Sequence, residues 1–200
     1  LTSKDVSPAG IGQGYGAALL QLTLKLRSTD VGIATVTTLK VSLTSNPGVS
    51  SLKLYKESGI NGWQLTDTEL GTATTFGSNM ATFTSLVETI TTTAKTYYLV
   101  LSLSGSATVG QTVGVTLKDN SFVTVSGSSD TVAALALGSS AIMVTLSDQV
   151  SGTFQSVAPL TLNQGSLGAF LQLTSFTNAN TATLTALRFS LALSGGATSQ

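Results

Sequence analysis

Apolar and polar residues alternate in short runs along this chain. Leu20, Leu22, Leu24 and Leu26 alternate with Gln21, Thr23, Lys25 and Arg27, the period of two that puts one face of a strand into a core. Leu39, Val41 and Leu43 alternate with Thr38, Lys40 and Ser42, Leu52 and Leu54 flank Lys53, and Leu99, Leu101 and Leu103 lead into Ser104-Gly105-Ser106. Shorter runs of the same kind cover 81–86, 112–117, 122–125 and 141–146. Between them stand Asn46-Pro47-Gly48, Asn61-Gly62, Gly77-Ser78-Asn79 and Asp119-Asn120-Ser121, whose residues favour turns. A capped helical stripe is lacking, with 130–137 the nearest approach to one. The pattern predicts an all-β protein, a Greek-key or jelly-roll β-sandwich of short antiparallel strands.

The chain also repeats itself. Gln13-Gly14 followed by Ala18-Leu19-Leu20-Gln21-Leu22-Thr23 returns as Gln164-Gly165 followed by Ala169-Phe170-Leu171-Gln172-Leu173-Thr174. After a three-residue deletion, Ala34-Thr35-Val36-Thr37-Thr38-Leu39-Lys40-Val41-Ser42-Leu43 returns as Ala182-Thr183-Leu184-Thr185-Ala186-Leu187-Arg188-Phe189-Ser190-Leu191, and Pro8 has its counterpart in Pro159. Two similar strands of one sandwich would share a composition, but the matched Gln-Gly turn and the Lys40/Arg188 position favour duplication. The expected organisation is a complete module over 1–148, a linker over 149–156, and over 157–200 a partial repeat of the first two strands, matching about 7–44. Two amphipathic strands cannot bury an apolar face alone. They need a host, which is either their own module, closed by them, or a neighbouring copy of the chain to which they donate a strand.

Composition narrows the possible jobs. Charged residues make up 9% of the chain and balance to zero net charge, with only two Arg, while 27 Ser and 33 Thr supply the polar surface. There is no electrostatic footprint for nucleic acid. The absence of His and Cys removes the imidazole base, the thiolate nucleophile and the commonest metal ligands, and the reading is non-enzymatic. The longest apolar stretch, within 131–147, is short for a membrane span and is broken by Gly138-Ser139-Ser140. Leu1 is not an initiator Met, so the chain reads as processed or as a fragment.

Some local signals have a stronger bland reading. The glycines of 10–16 precede a strand of alternating Leu, where a nucleotide fingerprint would follow a strand and open a helix. Asp67 and Glu69, two apart, would share one strand face as ordinary surface acids or, less simply, as a glycosidase pair. Trp63, Tyr55, Tyr97 and Tyr98 offer stacking surfaces for sugars, although Tyr97 and Tyr98 fall on opposite faces of one strand.

Ser7-Pro8 with Gln13-Gly14, the strand 20–26, Val49-Ser50-Ser51-Leu52-Lys53-Leu54-Tyr55-Lys56 with the Asn61-Gly62 loop, Thr96-Tyr97-Tyr98-Leu99-Val100-Leu101, and Gly110-Gln111-Thr112-Val113-Gly114-Val115 together resemble repeat modules of large secreted prokaryotic surface proteins. The resemblance covers about 7–148, with a second copy starting near 157. It implies small sandwiches, cohesin-like in outline, acting as structural or adhesive units. The composition is similar, more distantly, to extracellular filament subunits of the TasA and camelysin type, which polymerise by strand donation. In many such modules the loop after the Leu-Tyr strand resembles Asp-x-Asn-x-Asn-Gly and holds calcium through oxygen ligands. Here that pattern is eroded, and the resemblance leaves Glu57, Asn61 and Asp67 as the remaining ligands, with Glu69 nearby.

The functional expectation is a structural, secreted subunit of an extracellular filament, pilus or surface layer at the cell surface. It would self-associate into a homo-polymer through strand edges, without a cofactor of its own unless calcium binds. The inserting piece would be either 1–16 or the C-terminal segment 160–193, the latter with Leu160, Leu162, Phe170, Leu171, Leu173, Leu184, Leu187, Phe189 and Leu191 as its apolar residues. The alternative is an adhesin or carbohydrate-binding module of a long surface stalk, with glycan binding at the Trp63 loop.

Overall fold

The computed structural model describes residues 1–27, 32–126, 132, 136–146, 150–158, 165, 167–169 and 171–177. It falls into two compact units, 1–147 and 148–200. In the first unit the strands are β1 (Thr2–Asp5), β2 (Gly10–Gly12), β3 (Gly16–Leu24), β4 (Ala34–Leu43), β5 (Val49–Lys56), β6 (Thr68–Ala73), β7 (Met80–Phe83), β8 (Glu88–Ile90), β9 (Lys95–Leu103), β10 (Thr112–Val113), β11 (Val115–Leu117), β12 (Val123–Ser126), β13 (Leu137–Gly138) and β14 (Ile142–Thr145). The second unit contains β15 (Val150–Ser156) and β16 (Leu171–Thr177). A single 3₁₀ turn over Asn120–Phe122 is the one helical element among the described residues. The protein is all-β, as the alternation predicts.

The first unit is a sandwich. One sheet has the order β1-β3-β9-β5-β6 and is antiparallel throughout. The facing sheet is built on β4, with β8 and β7 along one edge and β12 and β11 along the other, and β13 outside β11. Alternate residues explain why these sheets stack: Leu20, Leu22, Leu54, Leu99 and Leu101 from the first sheet join Val36, Leu39, Val41, Phe83 and Leu117 from the second in one buried cluster. Each large aliphatic chain so buried stabilises the fold by about 1.5–3 kcal/mol. β3 and β5 both pair with β9, while β4, which lies between them in sequence, belongs to the opposite sheet, the crossing connection of a Greek key. A register shift between Ala18 and Leu20 lets Leu19 and Leu20 both be buried, which strict alternation forbids.

The N-terminal residues serve their own unit. β1 forms the edge of the five-stranded sheet against β3, and after Pro8 the chain changes sheets so that β2 pairs in parallel with β14. Within this chain β1 and β2, the strands of the segment 1–16 expected to insert into a neighbour, have their backbone partners in the first unit. The strand predicted to run to Leu26 ends at Leu24, and 130–137, the nearest thing to a helix in the sequence, lies largely outside the described residues, with Leu137 entering β13.

The second unit also departs from expectation. Residues 149–156 do not form a linker, because Val150–Ser156 is a seven-residue strand paired antiparallel with β16. Its register carries the strongest sign of duplication. In the first unit Thr2, Ser3, Lys4 and Asp5 oppose Thr23, Leu22, Gln21 and Leu20. In the second, Thr153, Phe154, Gln155 and Ser156 oppose Thr174, Leu173, Gln172 and Leu171, so all four pairs are reproduced with each partner displaced by 151 residues. The turn repeats as well: Gly14 has φ 78° and Gly165 φ 80°, a left-handed conformation that glycine adopts without steric cost.

Candidate functional site

Two places concentrate the residues singled out from the sequence. The first is the outer face of the five-stranded sheet, where the register aligns Lys4, Gln21, Tyr98, Tyr55 and Glu69 in one row across all five strands. The β5–β6 loop folds back over this row. Trp63 packs on a small outer cluster of Tyr55, Tyr98 and Val100 with Ala18, its ring meeting Tyr55 edge-on at a centroid distance of 6.0 Å. Its Nε1 is buried without a hydrogen-bond partner, an arrangement that costs free energy unless an acceptor arrives.

The Tyr98 hydroxyl clamps the loop. It donates to Glu57 Oε1 at 3.1 Å and accepts from the Gly62 amide at 3.1 Å and from Gln21 Nε2 at 3.4 Å. Burial, followed by the Glu57 carboxylate, raises the Tyr98 pKa above the usual tyrosine value. Asp67 fastens the other end: Oδ1 accepts from the Ser58 amide and hydroxyl at 3.0 and 2.9 Å, and Oδ2 from the Gln64 amide at 3.0 Å. Burial opposes ionisation of Asp67, yet these donors outweigh it and hold its pKa below the ordinary aspartate value.

These bonds describe the residues that the resemblance named for calcium. Glu57 Oε1 and both Asp67 oxygens are engaged by protein donors, and Asn61 is exposed at the loop tip. Among the described residues no three His, Cys, Asp or Glu side chains come together as a group that could hold a metal ion. Asp67 and Glu69 do not pair on a strand face either, since Asp67 precedes β6 and is buried in the loop, whereas Glu69 on β6 bonds Lys53 Nζ at 2.8 Å, the Tyr55 hydroxyl and the Thr72 hydroxyl. Lys53, with Thr72 second, lowers the Glu69 pKa, and Glu69 raises that of Lys53. Tyr97 points to the opposite side of β9, where its hydroxyl donates to Glu88 Oε2 at 2.9 Å beside Lys56. Burial and that carboxylate push the Tyr97 phenol above the usual range.

An open cleft adjoins the Trp63 loop. Its volume is about 330 Å3, and it is lined by Asn61, Gly62 and Trp63 from the loop, by Ala17, Ala18, Gln21 and Tyr98 from the sheet, and by Lys4, Val6 and Pro8 from the N-terminal segment. Sequence reading found the aromatic residues but not this cleft, because it is made by bringing segments 4–8 and 61–63 together over the sheet. The cross-strand row appears only once the strand register is known.

The second place is the duplicated segment. Leu171 and Leu173 lie on β16 at the positions of Leu20 and Leu22, which are fully buried in the first unit. Leu160, Leu162, Phe170, Leu184, Leu187, Phe189 and Leu191 lie outside the described residues. By the sequence match, six of these seven correspond to Ile11, Leu19, Val36, Leu39, Val41 and Leu43, all of them in the core of the first unit, and Leu160 to Ala9.

No known protein-family model matches this chain, and no curated protein matches it. Among the described residues, no helix is long and apolar enough to cross a membrane.

Proposed function

We propose that this chain is a structural, non-enzymatic component of an extracellular filament or surface layer built from repeated β-sandwich modules, in which 148–200 opens a second module whose sheets are finished by strands from outside it. The observation that carries this reading is the register of β15 with β16, which reproduces that of β1 with β3 pair for pair. A strand pair with the register of a module's first sheet is built to receive the rest of that module. In the first unit β3 lies between β1 and β9, with β5 beyond, and the repeat within 148–200 reaches only the counterpart of β4. Strands supplied by a neighbouring copy would fill the places that β9 and β5 hold in the first unit, and such a contact propagates head to tail. Low charge and zero net charge support close packing of like subunits, and the resemblance to secreted surface modules supports the location at the cell surface.

Light scattering and negative-stain electron microscopy on 1–200 test this reading, beside a fusion that adds residues 44–146 after Leu191 and so supplies the second module's strands in cis. The expected result is large species or filaments from 1–200 and a monomer with two cooperative units from the fusion. A monomeric 1–200 with β15 and β16 fully protected from amide exchange would overturn strand supply. A fusion that gains no second unit would overturn the repeat itself.

A further inference from the structure

The cleft beside the Trp63 loop has a chemistry that strand pairing does not use. At about 330 Å3 it lies at the lower end of the range of about 300–1,000 Å3 typical of small-molecule sites. Ala18 leaves room on the sheet where a larger side chain would fill the space, and Val6 and Pro8 add apolar lining. Trp63 supplies an indole surface, Gln21 and Asn61 supply two amides, and Lys4 is the one charged residue among the described residues of the lining.

Each of these has a counterpart on one class of ligand. The C–H face of a pyranose ring is apolar and weakly positive, which suits the negative face of an indole. Neighbouring hydroxyls both donate and accept, as an amide does. A carboxylate on the sugar would answer the Lys4 ammonium, at the side of the cleft away from Gly62 and Tyr98, which already hold the Glu57 carboxylate. A phosphate-bearing ligand fits less well, because one lysine stands alone without a helix N-terminus or glycine-rich cradle beside it. We propose that this cleft binds a short acidic saccharide, a uronic-acid oligomer, with Trp63 and Lys4 as its main contacts. The inference is independent of the strand-supply reading, since every lining residue belongs to the first unit.

The test is titration of 1–200 with tetramers of galacturonate, mannuronate and guluronate, and with the methyl-esterified galacturonate tetramer, followed by the indole N–H resonance of Trp63 and by calorimetry. At least one acidic tetramer should bind and shift the Trp63 signal, with affinity falling at least fivefold for Lys4→Met and on esterification of the galacturonate tetramer where that acid binds. Ala18→Leu, which fills the cleft without removing a polar group, should abolish binding while the thermal midpoint stays within a few degrees. Absence of any Trp63 shift at millimolar acidic tetramer overturns the proposal. So does binding that survives both Lys4→Met and Ala18→Leu. Equal affinity for the esterified galacturonate overturns the acidic part and leaves a neutral-sugar site.

Discussion

Asp5 Oδ2 accepts hydrogen bonds from both the amide, at 2.7 Å, and the hydroxyl of Ser140, a residue 135 positions further along the chain. Its other oxygen takes the amide and hydroxyl of Ser7. One carboxylate therefore ties the end of β1, at the edge of the five-stranded sheet, to the turn between β13 and β14. The Ser140 hydroxyl, followed by the Ser7 bonds, holds the Asp5 carboxyl well below the usual aspartate range. Because the folded-state value is the lower one, the stabilisation is complete above the unfolded pKa of about 3.9 and fades as pH falls below it. Asp5→Ala is expected to lower stability by about 1 kcal/mol at pH 7, the modest figure reflecting an exposed site. The difference between wild-type and variant urea midpoints, followed from pH 7 to pH 2, should shrink once pH falls below about 4; a constant difference would show that the carboxylate charge plays no part.

Removing the Tyr98 hydroxyl should loosen the Trp63 loop without opening the sandwich. Tyr98→Phe keeps the ring on Val100 and Trp63 but takes away one of the two acceptors of the Gly62 amide, leaving Glu57 Oε1 at 3.2 Å, and the partner of Gln21 Nε2, at a cost of about 1 kcal/mol. Amide exchange at Gly62 should accelerate while that of Leu99 and Leu101 changes only by the global loss of stability. Unchanged exchange at Gly62 would mean that packing of Trp63, and not the hydroxyl, holds the loop.

Core and loop leucines should separate cleanly. Leu99 is 0% exposed in the centre of the sandwich and Leu65 is 86% exposed at the loop. Leu99→Ala is expected to cost about 2–5 kcal/mol through lost burial and a residual cavity, whereas Leu65→Ala should stay within about 0.5 kcal/mol of wild type. Chemical denaturation of both variants measures this directly.

Gly48 combines two constraints. Its φ is +118°, and an added Cβ would sit 2.8 Å from the Ala107 Cα, a contact with backbone that cannot swing aside. Gly48→Ala should destabilise by about 2–3 kcal/mol, far more than Gly59→Ala, where φ is also positive but nothing lies within 4 Å. Similar thermal midpoints for the two variants would locate the cost in φ alone.

What the sequence disclosed follows from where burial writes a pattern. β3, β4, β5 and β9 are central strands with one face in the core, so Leu20, Val41, Leu54 and Leu99 stand out at a period of two. β1 and β6 are edge strands with polar sequences, TSKD and TELGTA, and backbone pairing alone does not mark a sequence. The sequence predicts a linker over β15, whose seven residues VSGTFQS set Val150 and Phe154 among polar residues around a central Gly152, too little pattern to mark a strand. The Trp63 cluster was legible only as a list of aromatic residues. The clamp that buries it depends on Tyr98, Glu57 and Gln21 meeting from three separate segments, and no spacing rule encodes that meeting.

The parallel pairing of β2 with β14 bears on load. Met143, Val144 and Thr145 run alongside Gly10, Ile11 and Gly12 in the same direction, so the chain comes into β2 at one end of the pair and runs out of β14 at the other. Were the chain held on either side of the first unit, tension that reached β2 past β1 would pull these two strands past one another lengthwise. Their hydrogen bonds would then be strained together, as a lap joint resists shear, instead of being peeled apart one after another like a zip.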